Sequence, residues 1–419
     1  MKKFAVVLFA AAMVLAFALP ASAIEHKFGG YFRWVGASYN NLSGQDKVDV
    51  TGSAGDLQLM DSRTRLYYTA KFSDDFKFVN KFEIDWTYGG PDGGGDIGTD
   101  GKIFEVKNSY LDFNYWNDLN FKIGLQGTSF GRGAVFDDDF AGIMASYVQP
   151  GRKLIVPFVW IKAIEGGIGI NANKMDVDGF GLNPFWRTGN WVINPFGLLW
   201  YSDNATELDS DIDDLTIYYL GLSVDYKFKN GSAWGSFIYQ GGETEDATTR
   251  ATTDVSAYAF MVGGDTNVGP VGLSAQFNWF SGDDDPLDGD RNDYFILEGP
   301  GYNNTSELLG KGFLFSQRPA EGIWDDPNNV WMIGGAAKYN IVKSLQLKAD
   351  LWYSELVEEK IIGGSKSLGT EVDLKVTWKM VNKLKLEAVG AYLFAGDGFY
   401  DGTNAKDPWE LGARLSLSF

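Results

Sequence analysis

The segment Trp409-Glu410-Leu411-Gly412-Ala413-Arg414-Leu415-Ser416-Leu417-Ser418-Phe419 decides the fold class. Trp409, Leu411, Ala413, Leu415, Leu417 and Phe419 fall on one side of an extended chain; Glu410, Gly412, Arg414, Ser416 and Ser418 fall on the other. Successive side chains of a strand point to opposite faces, so this pattern puts one face in an apolar medium and the other in water.

The same alternation recurs outward through the chain. Val372, Leu374, Val376, Trp378 and Met380 oppose Glu371, Asp373, Lys375, Thr377 and Lys379. Phe76, Phe78, Phe82, Ile84 and Trp86 oppose Lys77, Lys81, Glu83 and Asp85. Leu220, Leu222, Val224, Tyr226 and Phe228 oppose Gly221, Ser223, Asp225 and Lys227, and Leu345, Leu347, Ala349 and Leu351 oppose Gln346, Lys348 and Asp350. Each run is about the ~9–11 residues a tilted strand needs to cross a bilayer's hydrocarbon. No window shows a sustained helical period, and no separate apolar element is present for these faces to pack against. A closed transmembrane antiparallel barrel satisfies the pattern, because its outer face meets lipid and it has no edges.

The connections alternate in length. Short ones fall at Ser73–Asp75, Trp116–Asn120, Thr188–Asn190, Lys229–Gly231, Asn267–Pro270, Ile341–Ser344 and Val381–Lys383. Long ones fall at Asn40–Asp56, Gly89–Gly101, Ser202–Asp213, Gly241–Asp254, Ser281–Asn329 and Gly396–Asp407. Short periplasmic turns and long extracellular loops are the outer-membrane arrangement. The segmentation predicts an all-β barrel of about 18 strands, with 16 as the alternative count. The stretch Ser129–Gly181 is too irregular to divide. Aromatic pairs such as Trp86/Tyr88, Tyr115-Trp116, Trp200-Tyr201 and Trp352-Tyr353 crowd the strand ends, where rings suit a headgroup boundary.

The N-terminus carries Lys2 and Lys3, an apolar run from Phe4 to Leu19, and Ala21-Ser22-Ala23. These read as a secretory signal peptide over residues 1–23, cleaved near Ala23, followed by one barrel domain over 24–419. Cysteine is absent and histidine occurs once, at His26, which argues against His-based triads, thiol nucleophiles and His/Cys metal centres. A Ser- or Asp-based hydrolytic barrel is the one enzyme class left open, and the reading here is that the chain is not an enzyme. The net charge of −19 argues against nucleic acid as a partner, which wants a basic face. Asp283, Asp284, Asp285, Asp288 and Asp290 make an acidic loop. Asp288 and Asp290 imitate the start of a Ca2+ loop but lack the following Gly and final Glu of that motif, so a solvated loop without cofactor is the better reading and Ca2+ on the acidic loops the alternative.

These residues resemble the bacterial outer-membrane porin superfamily, in particular trimeric porins of Gram-negative bacteria, over essentially all of residues 24–419. Two segments carry the likeness most clearly. The closing strand looks like that class's assembly signal, with Trp409 and terminal Phe419 its key positions. The opening His26-Lys27-Phe28-Gly29-Gly30-Tyr31-Phe32-Arg33-Trp34 resembles their first strand. The resemblance implies a water-filled channel for passive diffusion of ions and small hydrophilic solutes in the Gram-negative outer membrane. Its partners would be outer-membrane lipids, the barrel-assembly machinery and two further copies of the chain. A substrate-specific channel for sugars, organic acids or phosphate, or a non-conducting structural barrel, are the alternatives.

Closure places the last strand beside the first. Arg33, Arg63, Arg65 and Arg414 are therefore expected on three adjacent strands as a positive wall, with Lys81, Glu83, Lys122 and Arg132 also lining the pore. Asp137, Asp138 and Asp139 are expected opposite, in a third loop that in related porins folds into the pore. The segment between Gly127 and Phe140 is short for such a loop, and Ser281–Asn329 is the other segment long enough to enter.

Overall fold

The structure is a computed structural model. It describes residues 24–41, 56–90, 95–97, 104–116, 118–166, 175–285, 287–299, 306–310, 328–359, 365–399 and 406–419. The expected signal peptide, residues 1–23, lies outside these, as do parts of the expected long loops over 40–56, 89–101, 281–329 and 396–407.

Eighteen antiparallel strands form one closed sheet. They are β1 (Glu25–Asn40), β2 (Asp56–Ser73), β3 (Phe76–Thr87), β4 (Glu105–Tyr115), β5 (Leu119–Phe130), β6 (Phe136–Val148) and β7 (Leu154–Ile164). Next come β8, in two pieces (Val177–Leu182 and Phe185–Thr188), β9 (Trp191–Ser202), β10 (Ile212–Phe228), β11 (Gly231–Asp246), β12 (Thr252–Val268) and β13 (Val271–Phe280). The wall finishes with β14 (Val330–Val342), β15 (Leu345–Leu356), β16 (Ser367–Val381), β17 (Leu384–Ala395) and β18 (Trp409–Ser418). Each pairs with its neighbours in sequence, and β18 returns to β1 with Asn40 opposite Trp409 and Tyr31 opposite Ser418. Of the two expected counts, 18 is the one observed.

The outer face carries the alternating apolar residues. Leu220, Leu222, Phe237, Phe260, Ile333, Leu351, Leu374, Phe394 and Leu411 are all exposed there. So large an apolar surface suits a hydrocarbon environment, not water. Turns of two residues, at 74–75, 189–190, 229–230 and 269–270, close one end of the barrel. At the other end several strands overrun their expected limits: β11 continues to Asp246 and β12 starts at Thr252, so the loop predicted over Gly241–Asp254 shrinks to residues 247–251.

The described residues of the unreadable stretch hold β6, β7 and most of the first piece of β8. Asn183-Pro184 interrupts β8, because proline has no N–H to give the ladder. Asn194 on β9 repairs the gap: its Nδ2 donates to Pro184 O at 2.7 Å and to Asn183 Oδ1 at 2.8 Å. Asn183 in turn donates to Ser129 O at 2.9 Å, so no polar group is abandoned at the break.

Candidate functional site

The inside of the barrel has two unlike halves. Over β5 to β12 many inward positions are apolar and buried. They include Phe130, Phe140, Val159, Ile161, Val177, Phe196, Leu198, Trp200, Leu215, Ile217, Tyr219, Ile238, Val255, Ala257 and Met261, in one cluster that also reaches Tyr39 of β1, Trp352 of β15 and Leu393 of β17. They are covered by two intruding pieces of backbone.

The first piece is the β5–β6 connection, Gly131 to Val135. Gly131, Arg132 and Gly133 all have left-handed φ, at +60°, +60° and +84°. Gly131 has no room for a Cβ, which would meet Val135 Cγ2 at 2.8 Å and Phe196 at 3.1 Å. Arg132 bears the strained conformation of a non-glycine residue in this region. Its guanidinium donates to Asp225 on β10 at 2.5 Å and stacks 4.4 Å from the Trp234 ring on β11. The turn is thereby fastened to the wall it packs against.

The second piece belongs to the β13–β14 connection. Asp290–Arg291 pairs in parallel with Asp254–Val255, and Tyr294, Phe295 and Ile296 then enter the apolar cluster. Tyr294 donates to Ala134 O at 2.6 Å, joining the two pieces. Tyr219 donates to Phe295 O at 3.0 Å and accepts from Leu297 N at 3.2 Å and Gln240 Nε2 at 3.1 Å. Gln240 Oε1 accepts from Phe295 N at 3.1 Å. Farther along, Ser306 to Leu309 lie buried beside β16. Sequence reading missed this seat. Its signal was the apolar run Tyr294-Phe295-Ile296-Leu297 inside an otherwise acidic loop.

Over β15 to β18 and β1 to β4 the inner face carries most of the charges, beside members of the same apolar cluster. Arg414 on β18, Arg33 on β1 and Arg63 and Arg65 on β2 do lie on three adjacent strands, and Arg33 is directly opposite Arg63. They do not form a uniformly positive wall. Arg33 pairs with Asp61 at 3.1 Å, and Arg63 grips Asp85 through two bonds of 2.8 and 2.5 Å. Arg65 pairs with Glu83, and Arg414 with Glu387 at 3.1 Å. Lys77–Asp112, Lys107–Asp139 and Lys348–Asp350 continue the series. The strand register causes this: Arg63 faces Asp85 and Arg65 faces Glu83 across β2 and β3, so opposite charges meet rung by rung. Lys81 stands in the field of Asp139, Arg65, Lys107 and Glu83 and makes no ion pair with a described residue. Lys122 lies over the Tyr110 ring at 5.7 Å.

Asp137, Asp138 and Asp139 are not on a long third loop. They open strand β6, opposite Gly127 to Ser129. Asp137 N donates to Gly299 O at 2.9 Å, and Asp138 caps the Asp139 amide at 2.7 Å. Asp139 is bound by Lys107 and by Asn108 Nδ2, at 3.4 and 2.8 Å, and not by the arginines. The β5–β6 connection is too short to carry them across the lumen, and the β13–β14 segment takes the intruding role.

Asp288 accepts the Asp290 amide at 2.8 Å in an Asx turn. Among the described residues no group of three or more His, Cys, Asp or Glu side chains is arranged to hold a metal.

At the seam, Phe419 N donates to Gly30 O at 3.0 Å and Phe419 O accepts from Gly30 N at 2.9 Å. Trp409 sits at the other end of β18, opposite Asn40 and Tyr392.

This architecture defines a fold class: the closed, 18-stranded antiparallel barrel. No protein-family model matches the chain, and no curated protein matches it. Solved structures do. Acinetobacter baumannii OccAB1 superposes with a TM-score of 0.59 at 11% identity, covering 96% of this chain and 99% of that one. Pseudomonas aeruginosa OccK11 (OpdR) gives 0.57 at 11% identity, over 94% and 96%. A BenF-like porin from Pseudomonas fluorescens Pf-5 gives 0.57 at 12% identity, over 94% and 99%. The likeness is one of fold.

Proposed function

We propose that the chain is a porin of the Gram-negative outer membrane, a water-filled channel for ions and small hydrophilic solutes and not an enzyme. The observation that carries this reading is the contrast between the two inner halves. The apolar side is packed, while part of the charged set opposite reaches water: Arg63, Arg65 and Asp85 keep 23%, 25% and 34% of their side-chain surface accessible, over buried partners such as Asp61 and Glu83. Charges kept wet on the inner wall of an otherwise packed barrel line a path, and charges at a narrowing decide which ions pass. Arg33, Arg63, Arg65, Lys81, Glu83, Arg414 and their partners line it in this reading, with Asp139 and Lys122 at its flank.

The porin likeness supports a homotrimer in outer-membrane lipid, inserted by the barrel-assembly machinery through the strand that ends at Phe419. Substrate preference is the second reading, favoured by the two intruding pieces, which narrow the lumen against one charged strip. Planar-bilayer recording in a salt gradient tests the channel itself. Steady conductance with a defined reversal potential is expected, and a barrel that never conducts overturns the reading. Liposome swelling with sugars, amino acids and organic acids of equal size separates general from selective passage.

A further inference from the structure

Among its described residues the β13–β14 segment is held by the Tyr219/Gln240 seat and its neighbours and, farther along, by carboxylates of β16, chiefly Glu371. Glu371 of β16 is fully buried, and four donors converge on it. Ser306 Oγ donates to Oε2 at 2.6 Å, and Leu309 N to the same oxygen at 2.6 Å. Glu307 N and Leu308 N each donate to Oε1 at 2.7 Å. Leu309 N also donates to Ser306 Oγ at 3.0 Å, and Glu307 N reaches Asp373 Oδ2 at 3.3 Å. Consecutive amides curled around an anion form a nest, and here the anion is part of the barrel wall.

The two sides need each other. A carboxylate in a dry interior is costly unless charge-assisted hydrogen bonds replace its water. Three consecutive amides pointing into that interior are equally costly without an acceptor. Leu308 and Leu309 add only non-directional burial, which fixes no position. The arrangement is also local: Trp352, directly across from Glu371 on β15, packs beside it and shuts out water.

We propose that Glu371 is the positioning residue of the pore, holding residues 306–309 inside the barrel and so setting the width of the path along the charged half. The inference rests on the channel reading for its conductance arm and stands without it for its labelling arm.

The chain has no cysteine, so single thiols report cleanly. Leu308→Cys in the otherwise native barrel is expected to resist a water-soluble thiol reagent, and Leu308→Cys with Glu371→Ala to be labelled at least about tenfold faster, as a released segment exposes its amides and side chains to water. In bilayers, Glu371→Ala is expected to raise single-channel conductance roughly twofold or more, with noisier open levels. Formate added to that variant is expected to refill the nest, lowering both conductance and labelling, while chloride at equal strength leaves them high. Glu371→Asp, which keeps the charge on a shorter stem, serves if the alanine variant fails to insert, with labelling between the two extremes expected. Equal labelling of Leu308→Cys with and without Glu371 overturns the proposal, as does released labelling that formate does not reverse. A native barrel without conductance but with the predicted labelling refutes the channel and leaves the anchor standing.

Discussion

Phe419 and Gly30 exchange both backbone hydrogen bonds, at 3.0 and 2.9 Å, and the Phe419 ring covers the face of Gly30 where any Cβ would collide. The seam of the barrel therefore needs a ring on one strand and a bare backbone on the other. Deleting Phe419 removes this last pair from β18. Outer-membrane yield and the heat-modifiable band on gels should both fall, and Gly30→Val should reproduce the loss with the C-terminus intact. Normal levels of both variants would show that the seam is not limiting.

Leu374 sits at the middle of β16, half exposed on the outer face, and Thr377 points inward opposite Gln346 and Glu387. Leu374→Arg should destabilise the barrel by about 2–4 kcal/mol in lipid. Thr377→Arg gains Glu387 as a neighbour and should stay within about 0.5 kcal/mol of the parent. Urea titration in vesicles measures both, and equal effects would refute the assignment of faces.

Arg63 and Arg65 both pair with buried Glu83, and Arg63 also grips Asp85. Replacing both arginines with alanine should shift the reversal potential toward cations, because two carboxylates lose their counter-charges. Adding Glu83→Gln should recover about half the shift. The effect should be largest at low salt, since screening at physiological strength acts over ~8–10 Å. Unchanged selectivity in both variants would move the narrowing away from β2 and β3.

Burial lifts the Glu298 carboxyl above the usual carboxylate range, and nearby Asp138 adds to it against the Gly299 amide. A carboxyl whose folded-state pKa is raised binds its proton more tightly in the native barrel, so it weakens the fold as pH rises through that value. Glu298→Gln should therefore raise the melting temperature at neutral pH, with the gain vanishing below the ordinary carboxylate pKa. A gain independent of pH would assign the effect to packing instead.

The charged half of the barrel was legible because polarity alternated there: Lys81, Glu83 and Asp85 stand against Phe82, Ile84 and Trp86, and the inward set could be read off by parity. The arginine neighbourhood followed from closure. Its pairing did not, since register is a relation between strands and Arg63 opposite Asp85 has no trace in either strand alone. The apolar half was illegible for a physical reason. Leu154-Ile-Val-Pro-Phe-Val-Trp-Ile161 is apolar on both faces because one meets lipid and the other a packed interior, so the period of two disappears. Asp137-Asp138-Asp139 has no period either and read as a loop, although it is the first turn of β6's ladder. Glu371 stood in plain sight on the polar face of β16, but its partners are backbone amides about 65 residues away, which no side-chain pattern announces.

The filling of one side also has a mechanical result. An empty cylinder of strands yields to lateral pressure by flattening into an oval. Packed side chains resist compression much as organic crystals do, so the arc from β5 to β12 is stiff. Flattening is left to the parts of the arc from β15 to β4 whose rungs are ion pairs, such as Arg63–Asp85 and Arg414–Glu387. Tension in the surrounding bilayer would thus deform the bore along a single axis, opening or closing it beside Arg63 and Arg414 while the opposite wall stays fixed.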